Sequence, residues 1–135
     1  MSGFIDVGGN KVKLGLKYAE THEWIDLSSS PATVGISDFA QRSLREVVYV
    51  DLPKVGQSVK KGTPLCTLES IKAVAEVYSP VDGVVASVNT ELEASPELVN
   101  NEPYGRGWLV KLYVKGGTEG LLAAEGYAEA LKKQT

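Results

Sequence analysis

Residues 65–80 read LCTLESIKAVAEVYSP, and the fold turns on how this stretch is read. Leu65 to Glu69 and Val74 to Tyr78 are short, apolar-rich runs with strand character. Four residues, Ser70 to Ala73, separate them, a length that suits a β-hairpin loop. One lysine, Lys72, stands at the tip, and the ordinary meaning of such a residue is a solvated turn. A nucleophilic lysine needs burial or a cationic neighbour to shed its proton. Lys72 has Glu69 before it and Glu76 after it instead, so a Schiff-base role is not expected. An accessible amine on four flexible carbons, carried by a rigid hairpin, does suit a covalent attachment point. Cys66 lies mid-strand and reads as a small packed hydrophobe rather than a reactive thiol.

Working outward, the first 114 residues are dominated by strand signals. His22 to Leu27, Ala32 to Ile36, Val47 to Leu52, Val84 to Val88 and Trp108 to Val114 carry β-branched and aromatic residues. Turn chemistry punctuates them at 28–31, 55–62 and 79–83, where Gly56, Gly62 and Gly83 can reverse the chain. A short helix is predicted near 37–44, with Ser37 as its cap and Asp38 complementing the dipole. Residues 91–107 read as a polar surface segment with one helical turn. From 118 to 132 the chain is rich in Ala and Leu at helical spacing, which predicts a C-terminal amphipathic helix. Many short strands with Gly and Pro turns indicate a sandwich or barrel rather than a βαβ fold. A faint echo, Val47–Leu52 leading to Leu65 and Val84–Val88 leading to Trp108, points to two β halves.

Composition bounds the function. The chain has 135 residues, 43% hydrophobic and 23% charged, with a net charge of −3. That size suits one domain, residues 1–135, with its core about 16–114. No basic stripe exists to neutralise phosphates, so nucleic-acid binding is not expected. No apolar stretch approaches a membrane span, so no membrane role is expected. One cysteine excludes an internal disulfide, and one histidine, His22, leaves no multi-His metal site or second candidate for a triad. No metal site is expected, and these absences argue against a self-contained enzyme. The first residues lack an apolar leader region and transit-peptide features, which favours a prokaryotic cytoplasm, or a mitochondrial matrix for a processed protein.

Glu69-Ser70-Ile71-Lys72-Ala73, with Ser79-Pro80 and Gly83 downstream, resembles the lipoyl-lysine hairpin of the glycine cleavage system H-protein family. Further blocks are similar in the same order. They are Tyr18, Thr21 and His22-Glu23-Trp24; Ala32 to Ala40; Val47 to Pro53 with Val55-Gly56; Val88-Asn89; Pro96 to Asn100; and Pro103-Tyr104-Gly105 with Gly107-Trp108. Ser43-Leu44-Arg45-Glu46 departs from the family, which often has a Gly there, and leaves the end of the short helix open.

The resemblance implies a mainly β, flattened lipoyl/biotinyl-type barrel-sandwich hybrid of two related β halves. It implies a non-catalytic carrier with lipoate amide-linked to Lys72, and Glu69, Ser70 and Ala73 recognised by a lipoate ligase or lipoyl/octanoyl transferase. It also implies three partners: a PLP-dependent glycine decarboxylase (P protein), a folate-dependent aminomethyltransferase (T protein) and a dihydrolipoyl dehydrogenase (L protein). Thr21, Glu23 and Glu76 match the cleft that shelters the aminomethyl-loaded arm. Without the resemblance Glu23 and Glu76 read as ordinary exposed strand carboxylates. Three alternatives stay open: a biotinyl module, disfavoured because Ile71 and Ala73 replace the flanking Met residues; a lipoyl relay protein donating lipoate to other complexes; and an unmodified interaction module.

Overall fold

A computed structural model describes residues 3–134. The elements in chain order are β1 (Phe4–Val7), β2 (Asn10–Lys13), β3 (Lys17–Tyr18), β4 (Glu23–Asp26), β5 (Ala32–Ile36), α1 (Asp38–Leu44) and β6 (Val47–Asp51). They continue with β7 (Ser58–Val59), β8 (Pro64–Ser70), β9 (Val74–Tyr78), β10 (Asp82–Val88), α2 (Glu91–Ala94), α3 (Leu98–Asn101), β11 (Val110–Gly116), β12 (Leu122–Ala123) and α4 (Ala124–Gln134).

The strands form three sheets, none closed on itself. One is the hairpin β1-β2, one has seven strands in the order β12-β3-β4-β5-β11-β10-β7, and one has three in the order β6-β8-β9. The architecture is the expected mainly β barrel-sandwich with a few short helices. The two echoing strand pairs are both adjacent antiparallel neighbours. β6 pairs with β8 in the small sheet, and β10 pairs with β11 in the large one.

Two apolar clusters hold the sheets. The larger packs Ile25, Val34 and Ile36 of the large sheet against Val50, Leu68 and Val77 of the small one. The smaller gathers Val7, Val12, Tyr18 and Trp24 with Tyr127 and Leu131 of α4. β4 and β5 lie between the two. Ile25 faces the first cluster and Trp24 the second, so β4 is buried on both faces and loses the usual alternation. Gly35 is opposite Trp24, and a Cβ there would come within 2.6 Å of the indole.

Several expectations need correction. The C-terminal helix begins at Ala124 rather than 118. Gly117 and Gly120 take positive φ, and Leu122–Ala123 pair as a strand with Lys17–Tyr18 before the helix starts. The hairpin at 4–13 lies outside the predicted core, yet Val7 and Val12 are buried against α4. The 55–62 turn region contains β7, which edges the large sheet. Residues 91–107 form two short helices rather than one turn. α1 starts as predicted: the Ala40 amide donates to Ser37 Oγ at 3.2 Å. It ends at Arg45, which takes φ 67° where a glycine fits without strain.

Candidate functional site

The hairpin carrying Lys72 is built on β8 and β9, which pair from Pro64↔Tyr78 to Glu69↔Val74. Ser70 organises the tip. Its amide donates to the Ala73 carbonyl at 2.8 Å, and its hydroxyl oxygen accepts from the amides of Lys72 and Ala73 at 3.3 and 3.1 Å. The Ile71 amide donates to the Glu46 carbonyl at 3.0 Å, which ties the tip to the start of β6. Lys72 is exposed, and among the described residues its ammonium makes no ion pair. Backbone bonds thus fix the tip while the amine is left projecting. That arrangement can accept an acyl group: attachment displaces no partner and distorts no packing, so the residues present fit an amide-linked lipoyl group. Glu69 is exposed on β8, opposite Tyr49 on one side and Val74 on the other.

Glu23 is not the exposed carboxylate that its strand position suggests; it is 2% exposed. It shares a face of β4 with Ile25 and so turns toward the small sheet. One carboxylate oxygen accepts from the Thr21 hydroxyl, and the other accepts from the Tyr78 amide of β9 at 2.9 Å. Glu23 therefore bridges the two sheets. Burial raises its pKa, while the bonds from Thr21 and Tyr78 oppose the rise.

Glu76 lies two residues before Tyr78 and is exposed. It receives a long bond of 3.4 Å from the Thr67 hydroxyl. Thr21 and Glu76 open onto different concavities. Thr21 lines one of about 400 Å³ with Lys61, Ser79, Pro80 and Leu121. Glu76 lines one of about 410 Å³ with Asp51, Pro64, Cys66 and Thr67. The structure thus joins Thr21 to Glu23 directly, and Glu76 meets them only along β9.

Cys66 sits between these groups. Burial pushes its thiol up, and the carboxylates of Glu23, Asp51 and Glu76 add to the effect. A thiolate is disfavoured there, and the residue is buried as its strand position predicts. Asp51 was not singled out by sequence reasoning. Its only signal is register, since it pairs with Thr67, which pairs with Glu76. His22 takes φ 80°, and its Nδ1 lies 2.7 Å from the Tyr127 hydroxyl of α4. Trp24 donates to the Pro103 carbonyl at 3.0 Å. Among the described residues there is no cluster of three metal-ligating side chains, and no helix is long and apolar enough to cross a membrane.

A family model described as Glycine cleavage H-protein matches residues 16–134. The glycine cleavage system H protein of Rubrobacter xylanophilus is 50% identical over 119 residues, spanning 88% of this chain and 94% of that protein. The probable glycine cleavage system H protein of Pyrococcus abyssi is 50% identical over 132 residues, 95% of this chain and 98% of the relative. The crystal structure of a glycine cleavage system H protein from Mycobacterium marinum superposes with a TM-score of 0.81 at 33% identity, covering 87% of this chain and 96% of that one. The chain belongs to the glycine cleavage H-protein family, whose members are non-catalytic lipoyl carriers of the glycine cleavage system.

Proposed function

We propose that this chain is the lipoyl-bearing shuttle of glycine catabolism, with lipoate amide-linked to Lys72. On this reading it carries an aminomethyl unit from the PLP-dependent glycine decarboxylase to the folate-dependent aminomethyltransferase. It then presents the reduced group to dihydrolipoyl dehydrogenase. The lipoyl group supplies, when bound, a cyclic disulfide that opens on loading and is restored by thiol–disulfide exchange. The observation that carries the reading is the tip geometry: an exposed Lys72 amine on a turn whose amides are held by Ser70.

The chain's own residues supply position and shelter. β8 and β9 hold the attachment point, which keeps the arm at high effective concentration for each partner. Glu69, Ser70 and Ala73 present a defined turn to the lipoate ligase or lipoyl/octanoyl transferase. Glu23, already bonded to Thr21 and the Tyr78 amide, and the freer Glu76 are the carboxylates on which a loaded, cationic amine can rest. Both accept charge-assisted hydrogen bonds. Residues 1–135 act as one lipoyl-carrier domain, and the bacterial and archaeal relatives favour a cytoplasmic setting.

Intact-mass measurement of the protein from its own host tests the assignment. The mass rises by one lipoyl increment, located on Lys72 by peptide mapping, and Lys72→Arg lacks the increment while melting at the parent temperature. Lipoate on the Lys72→Arg variant, or a biotinyl increment on the parent, sinks the reading.

A further inference from the structure

A regular strand turns consecutive side chains to opposite faces. β6 breaks that pattern at its start. The β6–β8 register shifts between Val47 and Tyr49. The bulge leaves Val47 buried and sets both Val48 and Tyr49 in solvent, 48% and 53% exposed. Bulges re-aim side chains, and this one aims two apolar groups outward beside the hairpin tip. Val47 pairs with Ser70, and the Ile71 amide bonds to the Glu46 carbonyl, so the start of β6 and the tip are held together. Ile71 and Val74 flank Lys72 at 68% and 67% exposure. Tyr49, Glu69 and Val74 form one cross-strand row. Four of the nine large apolar side chains exposed among the described residues therefore lie on the hairpin that carries Lys72 and on the strand start held against it. The core does not need them there, since Val50, Leu68 and Val77 already fill the buried face of the same sheet. Apolar side chains gathered at one exposed spot mark a contact surface.

We propose that Val48, Tyr49, Ile71 and Val74 form the docking surface for the enzyme that acylates Lys72, a proposal that rests on Lys72 being the attachment site. Position selects this occupant. Acylation is the step that takes place at Nζ itself. Nζ loses a proton to a base of the enzyme and attacks the carbonyl carbon of an acyl adenylate. The C–N bond forms, the C–O bond to AMP breaks with its electron pair going to the phosphate, and the nitrogen gives up a second proton. Partners that act on the lipoyl sulfurs work at the far end of the arm and have no need to cover the tip. Charge describes the other side of the contact. β6, β8 and β9 carry Asp51, Glu69 and Glu76 and no Lys or Arg. The facing surface is therefore apolar with a basic rim.

The test measures acylation of the parent chain and of Tyr49→Ser, Ile71→Ser and Val74→Ser by a purified lipoate ligase supplied with ATP and lipoate. Each variant is expected to raise KM for the protein substrate about tenfold with kcat held. The parent's KM is expected to climb with added salt. Variants lipoylated to completion with excess ligase should be reduced by dihydrolipoyl dehydrogenase supplied with NADH at the parent rate. An unchanged KM in Ile71→Ser and Val74→Ser overturns the docking surface while leaving Lys72 as the attachment site. An equal loss in the dehydrogenase reaction also overturns it, because it reports general damage. A parent chain that is never acylated at Lys72 removes the attachment-site reading, and the docking surface with it.

Discussion

Glu23 shows how one residue can belong to both the scaffold and the site. Its carboxylate is buried, yet each oxygen has a donor, one from Thr21 and one from the Tyr78 amide. Among the described residues no buried side-chain polar atom lacks a partner, so the bridge is a satisfied one. Burial still outweighs those bonds and lifts the carboxyl pKa above its ordinary value. The native state then binds a proton at pH values where the unfolded chain has released it. Stability from this group is complete below the unfolded pKa and is lost as pH rises through the folded one. Glu23→Gln keeps an acceptor for the Tyr78 amide and cannot titrate. Urea titrations from pH 4 to pH 8 should show the stability of the parent relative to Glu23→Gln falling as pH rises. A difference that is flat with pH, or that grows, contradicts the assignment. A cationic amine resting near Glu23 would favour the charged carboxylate, so loading the arm should weaken that pH dependence.

At the scale of elements, the end of α1 carries a visible cost. Arg45 closes the helix at φ 67° and ψ −156°, a backbone region that suits glycine, and its amide donates to the Gln41 carbonyl. The conformation persists because its surroundings hold it. The Asn100 side chain donates to the Arg45 carbonyl at 2.7 Å and accepts from the Val47 amide at 2.9 Å. Arg45→Gly should therefore stabilise the protein by about 1 kcal/mol, read as a higher urea midpoint with an unchanged slope. A lower midpoint counts against strain at this position. The departure from Gly at this point shows only against the family resemblance, whereas Ser37 as a cap and the strands on either side of Lys72 were legible in the residues themselves. Those features rest on local chemistry: a hydroxyl before an acidic first turn, and apolar runs around a polar break. What stayed illegible depends on partners far along the chain. The burial of Glu23 follows from β4 being covered on both faces, which the pattern of His22 to Leu27 does not encode. Ala-rich residues before 124 read as helix, but Leu122–Ala123 are claimed by Lys17–Tyr18. β1 and β2, with Lys11, Lys13 and Asn10 in the pair, look too polar to be strands until α4 supplies the surface that buries Val7 and Val12.

Across the whole molecule, the two clusters divide the work. The cluster between the sheets supports the hairpin and Glu23. The other fastens the N-terminal hairpin and α4 to the outer face of β4. A chain of hydrogen bonds joins this second cluster to α1 and to the segment before Glu23. Ser37 accepts from the Ala40 amide, and its own hydroxyl lies 2.7 Å from the Tyr127 hydroxyl, which lies 2.7 Å from His22 Nδ1. Burial lowers the His22 pKa and favours the neutral ring, so the chain is held by uncharged groups. Leu131, fully buried in α4, is the apolar anchor of that side. Leu131→Ala should cost about 2–5 kcal/mol by the cavity it leaves. The loss should be local before it is global, because cooperative units open separately. Hydrogen exchange followed by mass spectrometry is expected to show faster exchange in β1, β2 and α4 of the variant. Protection of β8 and β9 should stay near that of the parent, and so should the rate of Lys72 lipoylation. Equal loss of protection in β8 and β9 would mean that the clusters open as one unit. The attachment hairpin would then depend on α4 as directly as on the strands that carry it.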